Sequence, residues 1–206
     1  MSYFITIEGT DGAGKSTQLN WVADMLTDKN IEFVVTREPG GTVLGESLRE
    51  LILSREKVSI TPLSQLLLMF AARAQHIEEV IQPALDSGKW VVCDRFTDAS
   101  YAYQGAAGGL GMDVVSAIES LVHGELQPDL TILLDVSVEI GEARIAKRSE
   151  SSDRFEKLET EKKKKIRKTY LDRCLLYPDR IKRIDASKDI SGVKTQIEQI
   201  LEPLLP

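Results

Sequence analysis

Cysteine and histidine are nearly absent from the 206-residue chain, which has two of each: Cys93, Cys174, His76 and His123. Two distant cysteines form neither a disulfide framework nor a zinc-ligand spacing, so a reducing, cytoplasmic setting without a Cys- or His-based metal site is expected. Aromatic residues are scarce at 6%, but Gly and Pro are near ordinary usage, and no Ser/Gly/Pro-rich tract, linker or repeat interrupts the chain. One folded domain over residues 1–206 is therefore expected. No apolar run approaches the roughly 18 residues of a membrane span, and Met1-Ser2-Tyr3-Phe4 is not a basic segment leading an apolar one. Neither insertion nor export is expected. An excess of positive charge is also missing. Acidic residues outnumber basic ones by 32 to 26, a net charge of −6, and such a field repels nucleic acid and anionic lipid. Neither is expected as a partner, and any anion site must be local.

Short apolar runs recur between longer segments of helical periodicity: 3–7, 33–36, 90–93, 130–136 and, more weakly, 181–184. Their near-continuous Val/Ile/Leu content is what strands buried on both faces require. Helical patterns cover 15–28, 43–54 and 62–86, the last opening with Thr61 as N-cap and Pro62 in the first turn and closing at Ser87-Gly88. Repeated strand–helix–strand order implies right-handed crossovers and an α/β domain with a mostly parallel sheet. Mobile insertions are expected around 105–111 and 148–154, where Gly or Ser cluster. The basic run at 161–168 is flanked by acidic residues and is expected to be a solvated helix face.

Directly after the first run comes Glu8-Gly9-Thr10-Asp11-Gly12-Ala13-Gly14-Lys15-Ser16-Thr17, of which residues 9–16 match G-x-x-x-x-G-K-[ST] between a strand and a helix. Glycines let backbone N–H groups turn in around a phosphate, the helix N-terminus adds partial positive charge, and Lys15 reaches the terminal phosphates. Ser16 can offer a hydroxyl to Mg²⁺. No Asn-Lys-x-Asp guanine reader and no Leu-Ser-Gly-Gly-type segment is present, which excludes a GTPase switch and a transporter ATPase. Asp94 ends the third run and points into the crevice beside the phosphate loop, as a partner of Mg²⁺ or as a strand cap. Arg95 and, after the second run, Arg37 add two cationic forks to the same crevice. Two arginines and a lysine exceed the needs of one triphosphate and suggest two phosphorylated ligands.

The phosphate loop together with Thr36-Arg37-Glu38-Pro39-Gly40-Gly41-Thr42, Phe70-Ala71-Ala72-Arg73, Asp94-Arg95-Phe96, Ala102-Tyr103-Gln104-Gly105 and Asp153-Arg154-Phe155-Glu156 resembles bacterial thymidylate kinases in order and spacing. The resemblance implies a P-loop nucleoside-monophosphate kinase: a five-stranded parallel sheet with helices on both faces and a mobile lid near 144–156. It implies phosphoryl transfer from ATP to dTMP with Mg²⁺, and a homodimer. It further implies that Phe70 stacks on thymine and Arg73 hydrogen-bonds O4; from position alone, Phe70 is as well a core residue and Arg73 as well a solvated one. Ser100 and Gln104 would meet the N3 edge, Tyr103 would crowd the sugar 2′ position, and Asp11 would bind the 3′-hydroxyl. Some members of the family carry a catalytic arginine where this chain has Gly12. Here the resemblance assigns that charge to the lid, with Arg154 first and Arg148 second, and packs Arg144 on adenine.

Overall fold

The computed structural model describes residues 2–53, 59–147, 155 and 158–205; Arg148 and Arg154 lie outside them. Five strands form one sheet: β1 Phe4–Gly9, β2 Phe33–Arg37, β3 Trp90–Asp94, β4 Leu130–Asp135 and β5 Ile181–Asp185. Their order is β2-β3-β1-β4-β5 and each pairing is parallel. β1 and β4 are buried at every position, which explains their unbroken apolar character. The chain leaves β1 toward β2 and β3 on one side and toward β4 and β5 on the other, so the order reverses beside β1. The crevice at the carboxyl ends opens there. Register aligns the ends: Ile7 pairs with Asp94, and Asp94 with Arg37.

Alternation along β1 sends Ile5 and Ile7 into a core shared with Val22 and Leu26 of helix α1 (Lys15–Asp28) and Val193 and Ile197 of α9 (Ile190–Leu201). Phe4 faces the opposite layer with Val91, Cys93 and Phe96. That layer contains α2 (Val43–Leu53), α3 (Pro62–His76), α4 (Gln82–Asp86), α5 (Thr97–Ser100), α6 (Met112–His123) and α8 (Thr160–Leu176), while α7 (Val138–Ala146) follows β4 beside the phosphate loop. Among the described residues no helix is long and apolar enough to cross a membrane.

The periodic segment 62–86 is helical throughout, with Thr61 accepting from the Ser64 amide as its N-cap, but it is wound as a π-turn over Ile77–Ile81. Pro83 explains the change: it has no N–H to offer, and its ring would press on the carbonyl one turn back, which a wider turn relieves. The expected insertion at 105–111 is corrected in part. Tyr101–Ala107 forms a buried π-helical segment continuing α5, and a Cβ on Gly105 would stand 3.3 Å from both Met112 and Val115. This glycine serves close helix packing. The lysines of α8 behave as a solvated face, with Lys164 paired to Glu161 and Lys168 to Asp172.

Candidate active site

The phosphate loop joins β1 to α1 through three glycines with positive φ, Gly9, Gly12 and Gly14. Two of them also permit close approach. A Cβ on Gly9 would lie 2.5 Å from the Leu134 carbonyl, and one on Gly12 would run into the Gly141 backbone of α7. Lys15 folds back over the loop, 3.3 Å from the carbonyls of Gly9 and Thr10 and 3.9 Å from Asp11. Burial, then the charge of Arg95, push its ammonium below the ordinary lysine range, against the pull of Asp11 and Asp94.

Arg95 follows β3 in a left-handed conformation, φ 70°, a geometry costing about 1–3 kcal/mol that clusters at functional sites. Its guanidinium ties the site together. One nitrogen donates to Gly9 O (3.0 Å) and the Tyr170 hydroxyl (3.1 Å), the other to Asp11 (2.6 Å) and the Tyr103 hydroxyl (3.1 Å). Tyr103 in turn donates to the second Asp11 oxygen at 3.1 Å. Burial would raise the Asp11 carboxyl, but Arg95, Lys15 and the tyrosine hold it below the usual carboxylate range. Asp11 is thus an ionised acceptor inside the phosphate loop, beside a tyrosine ring.

Behind this cluster lies Glu8, fully buried on β1. One oxygen accepts from the amides of Phe96 (2.8 Å) and Ala99 (3.2 Å), the other from Tyr170 (2.7 Å). Desolvation first, then Asp98, push its pKa up to about 7. Asp98 of α5 is held by Arg173 and Arg180, which moors α5 to α8 and to the turn before β5.

A cavity of about 550 Å³ opens over the loop, within the usual range for small-molecule sites. Lys15, Ser16, Thr17, Asp94 and Arg95 line its phosphate end; Glu38, Pro39, Met69, Ala99, Tyr103 and Gln104 line the other. Asp94 Oδ1 is buried without a hydrogen-bond partner, and Asp94 and Ser16 both line the cavity. Two hard oxygen donors, one of them an orphaned carboxylate oxygen, fit a Mg²⁺ site completed by phosphates and water. No group of three His, Cys, Asp or Glu suited to a metal occurs among the described residues.

Arg73 of α3 is 1% exposed. Nε donates to Glu38 at 2.6 Å, and Nη2 to Phe96 O and Ser100 Oγ at 3.1 Å each. Nη1 is buried and unpartnered, and so is Oε1 of Gln104, whose amide donates to Gln65 at 3.1 Å. An unmatched donor and an unmatched acceptor, both desolvated, are costly unless a ligand completes them. The expected solvated alternative for Arg73 does not hold.

Several residues sit elsewhere than the sequence suggests. Arg37 does not line the cavity; it is half exposed and paired to Glu46 at 3.0 Å. Arg49 of α2 lines it instead, donating to Pro39 O at 2.8 Å. Phe70 is 2% exposed, packed with Leu66, Tyr101 and Val115, and carries the Arg73 guanidinium 4.4 Å from its ring centroid; Met69 is the neighbour that lines the cavity. Arg73 and Ser100, bonded to each other, are both buried and neither is among the residues that line the cavity. Arg144 donates to Gly12 O (3.4 Å) and Ala186 O (2.9 Å), at the loop's outer side. Phe155 lines the cavity and meets the Tyr103 ring edge-on, centroids 5.2 Å apart. Glu8, Glu38, Arg49 and Met69 were not singled out by sequence.

The family model described as thymidylate kinase matches residues 7–197. Similar curated proteins include the thymidylate kinases of Alkalilimnicola ehrlichii (48% identical over 198 residues, 96% of this chain and 91% of the relative) and Nitrosomonas europaea (48% over 199 residues, 97% and 92%). Among solved structures, the crystal structure of thymidylate kinase from Ehrlichia chaffeensis superposes with a TM-score of 0.78 at 32% identity, covering 97% of this chain and 98% of that one.

Proposed function

The chain belongs to the thymidylate kinase family, and from that premise we propose how its residues transfer the γ-phosphoryl group of ATP to dTMP, giving ADP and dTDP. The observation that carries the acceptor assignment is the orphaned pair Arg73 Nη1 and Gln104 Oε1. Thymine offers O4 as acceptor and N3–H as donor, the complement of that pair. Cytosine presents an amino donor and a bare ring nitrogen, so both matches reverse. Asp11 accepts the 3′-hydroxyl and Tyr103 crowds the 2′ position. Met69 supplies an apolar wall for the base, and Phe70, whose ring carries the Arg73 guanidinium, is the aromatic that would stack on thymine.

Thr10, Ala13 and the loop glycines present backbone amides to the donor phosphates, while Lys15 and Thr17 add side-chain donors and Arg144 flanks adenine. Arg95 holds the acceptor phosphate in line, with Arg49 on the same cavity; Arg37 joins them only by leaving its pairing with Glu46. Ser16 and Asp94 would hold Mg²⁺, which when bound neutralises charge on the phosphates. The acceptor oxygen is already anionic, so no strong general base is required; it bonds to the γ-phosphorus as the bond to the β–γ bridging oxygen breaks. Charge placement and alignment do the rest.

Gly12 has no side chain to bring, so the positive charge for transfer comes from the lid at 144–156, with Arg154 first and Arg148 second. Phe155, the residue after Arg154, lies against Tyr103, which supports this reading. A cytoplasmic homodimer completes it, supported by apolar side chains left exposed on packed neighbours α2, α3 and α6: Val43, Leu67 and Leu121. Sedimentation of a monomer at assay concentration would remove the dimer.

The decisive assay is coupled ADP release with dTMP, dUMP, dCMP and AMP as acceptors. The reversed hydrogen-bond pattern predicts kcat/KM for dCMP at least ~10³-fold below dTMP; comparable turnover with dCMP or AMP would sink the base-reading scheme. Arg154→Ala is expected to lower kcat about 10²-fold with little change in dTMP KM. An unchanged kcat transfers the role to Arg148.

A further inference from the structure

We propose that His76 is a positioning residue for base recognition, tying down Glu38 so that the Arg73 guanidinium keeps the orientation that leaves Nη1 for the base. The proposal rests on the reading above that Arg73 recognises the acceptor's pyrimidine. His76 ends α3, three residues after Arg73, and is wholly buried. Its Nδ1 lies 3.0 Å from Glu38 Oε1 and its Nε2 lies 2.6 Å from Thr36 Oγ1. A carboxylate only accepts, so Nδ1 carries a proton; in the neutral ring the Thr36 hydroxyl is then the donor to Nε2.

The consequence lies in how Glu38 divides its two oxygens. Carboxylates prefer to grip arginine through two parallel bonds. Here Oε1 is taken by His76, leaving Oε2 alone to accept from Arg73 Nε at 2.6 Å. Nη2 is spent on Phe96 O and Ser100 Oγ, and Nη1 is left without a partner. Without the histidine proton, Glu38 is free to turn its second oxygen onto Nη2, the nitrogen on the same side as the Nε proton, in competition with Phe96 O and Ser100 Oγ; the guanidinium then turns and Nη1 leaves its place for the base. The backbone makes room for this arrangement: a Cβ on Gly41, φ 78°, would stand 2.5 Å from His76 Nε2 and 2.7 Å from Thr36 Oγ1.

Two substitutions separate positioning from packing. His76→Asn places an amide nitrogen where Nδ1 stood and keeps the bond to Glu38; His76→Gln reaches toward Thr36 and abandons it. Both lose the ring. With the Gln variant the KM for dTMP should rise ~10-fold and the preference for dTMP over dCMP should fall by a similar factor, whereas the Asn variant should stay within about 3-fold of wild type. The KM for ATP should not move in either. Equal shifts in the two variants, or lowered thermal stability with unchanged dTMP KM, would overturn the proposal. If the Gln variant does not fold, the near-isosteric Thr36→Val serves instead: it should raise the dTMP KM about 3-fold at constant ATP KM, and an unchanged dTMP KM refutes the relay. A wild-type enzyme that does not discriminate dTMP from dCMP would instead remove the base-reading premise itself.

Discussion

Replacing Glu8 by glutamine should change how stability depends on pH far more than it changes the structure. The amide oxygen can still accept from Phe96 and Ala99, and its nitrogen can donate to Tyr170. What disappears is a titration. The folded-state pKa of Glu8 is pushed up to about 7 from an ordinary 4.5, chiefly by burial and then by Asp98. Between those values the folded chain holds a proton that the unfolded chain has released, so stability falls as pH rises through the window. The rise in pKa, at 1.36 kcal/mol per unit, corresponds to about 3 kcal/mol lost by pH 8. His123 works in the opposite sense. Burial, then Arg73, lower its pKa from 6.5 to about 4, so its contribution is lost as pH falls from 6.5 toward 4. The two slopes nearly cancel in the wild type, giving a flat profile from pH 5 to 6.5. Urea unfolding followed by circular dichroism at pH 5, 6, 7 and 8 isolates Glu8 as the difference between variant and wild type. That difference should grow in the variant's favour by about 2.5 kcal/mol from pH 5 to pH 8. A difference independent of pH would refute the account of Glu8 as a carboxylate ionised against its environment.

The close approach of Gly12 to Gly141 predicts that an arginine cannot be moved into the phosphate loop of this chain: Gly12→Arg combined with Arg154→Ala should be less active than Arg154→Ala alone, and recovery of kcat in coupled assays would contradict the packing. Placement of Met69 on the cavity and Phe70 in the core predicts a split between neighbours. Phe70→Ala should cost about 3–5 kcal/mol of unfolding free energy, while Met69→Ala should raise the dTMP KM about 10-fold with a smaller stability loss; the reverse pattern would exchange their roles. Asp94→Asn keeps the shape and removes the charge, and should raise the Mg²⁺ concentration for half-maximal turnover at least ~10-fold; an unmoved Mg²⁺ titration would leave Asp94 as a strand cap.

The phosphate loop was legible because its chemistry is local. Backbone amides, three glycines and Lys15 lie within nine consecutive residues, and the strand before them is apolar throughout. The sheet was legible for a related reason: strands buried on two faces must be nearly continuous apolar runs. Glu8 was less so. It belongs to the same motif, but only the parallel register that brings Phe96 and α8 beside β1 turns it from a polar residue at a strand end into a buried carboxyl holding α5.

The base-reading end was harder because a helix offers two spacings for one face. Phe70 at i−3 and Met69 at i−4 can both stand beside Arg73, and an aromatic residue is the natural first choice under a pyrimidine. Tertiary packing treats them differently: Met69 lines the cavity, while Phe70 packs in a core cluster against Arg73. Leu66, one turn before Phe70, is also fully buried and shares its cluster, so the stripe through 66 and 70 is committed to the core. Gln65, Met69, Arg73 and His76 form the adjacent stripe, and three of those four bond to Gln104 or Glu38. Arg37 and Arg49 show the same limit from the other side. Pairing between β2 and β3 brings the backbone of Arg37 opposite Asp94, as the order of runs implies. The side chain nevertheless turns outward to Glu46, and Arg49 comes over from α2 to the cavity. Which cation lines the cavity is set by helix-to-loop contacts among residues 37–49, and those depend on where α2 docks, information that no single motif contains.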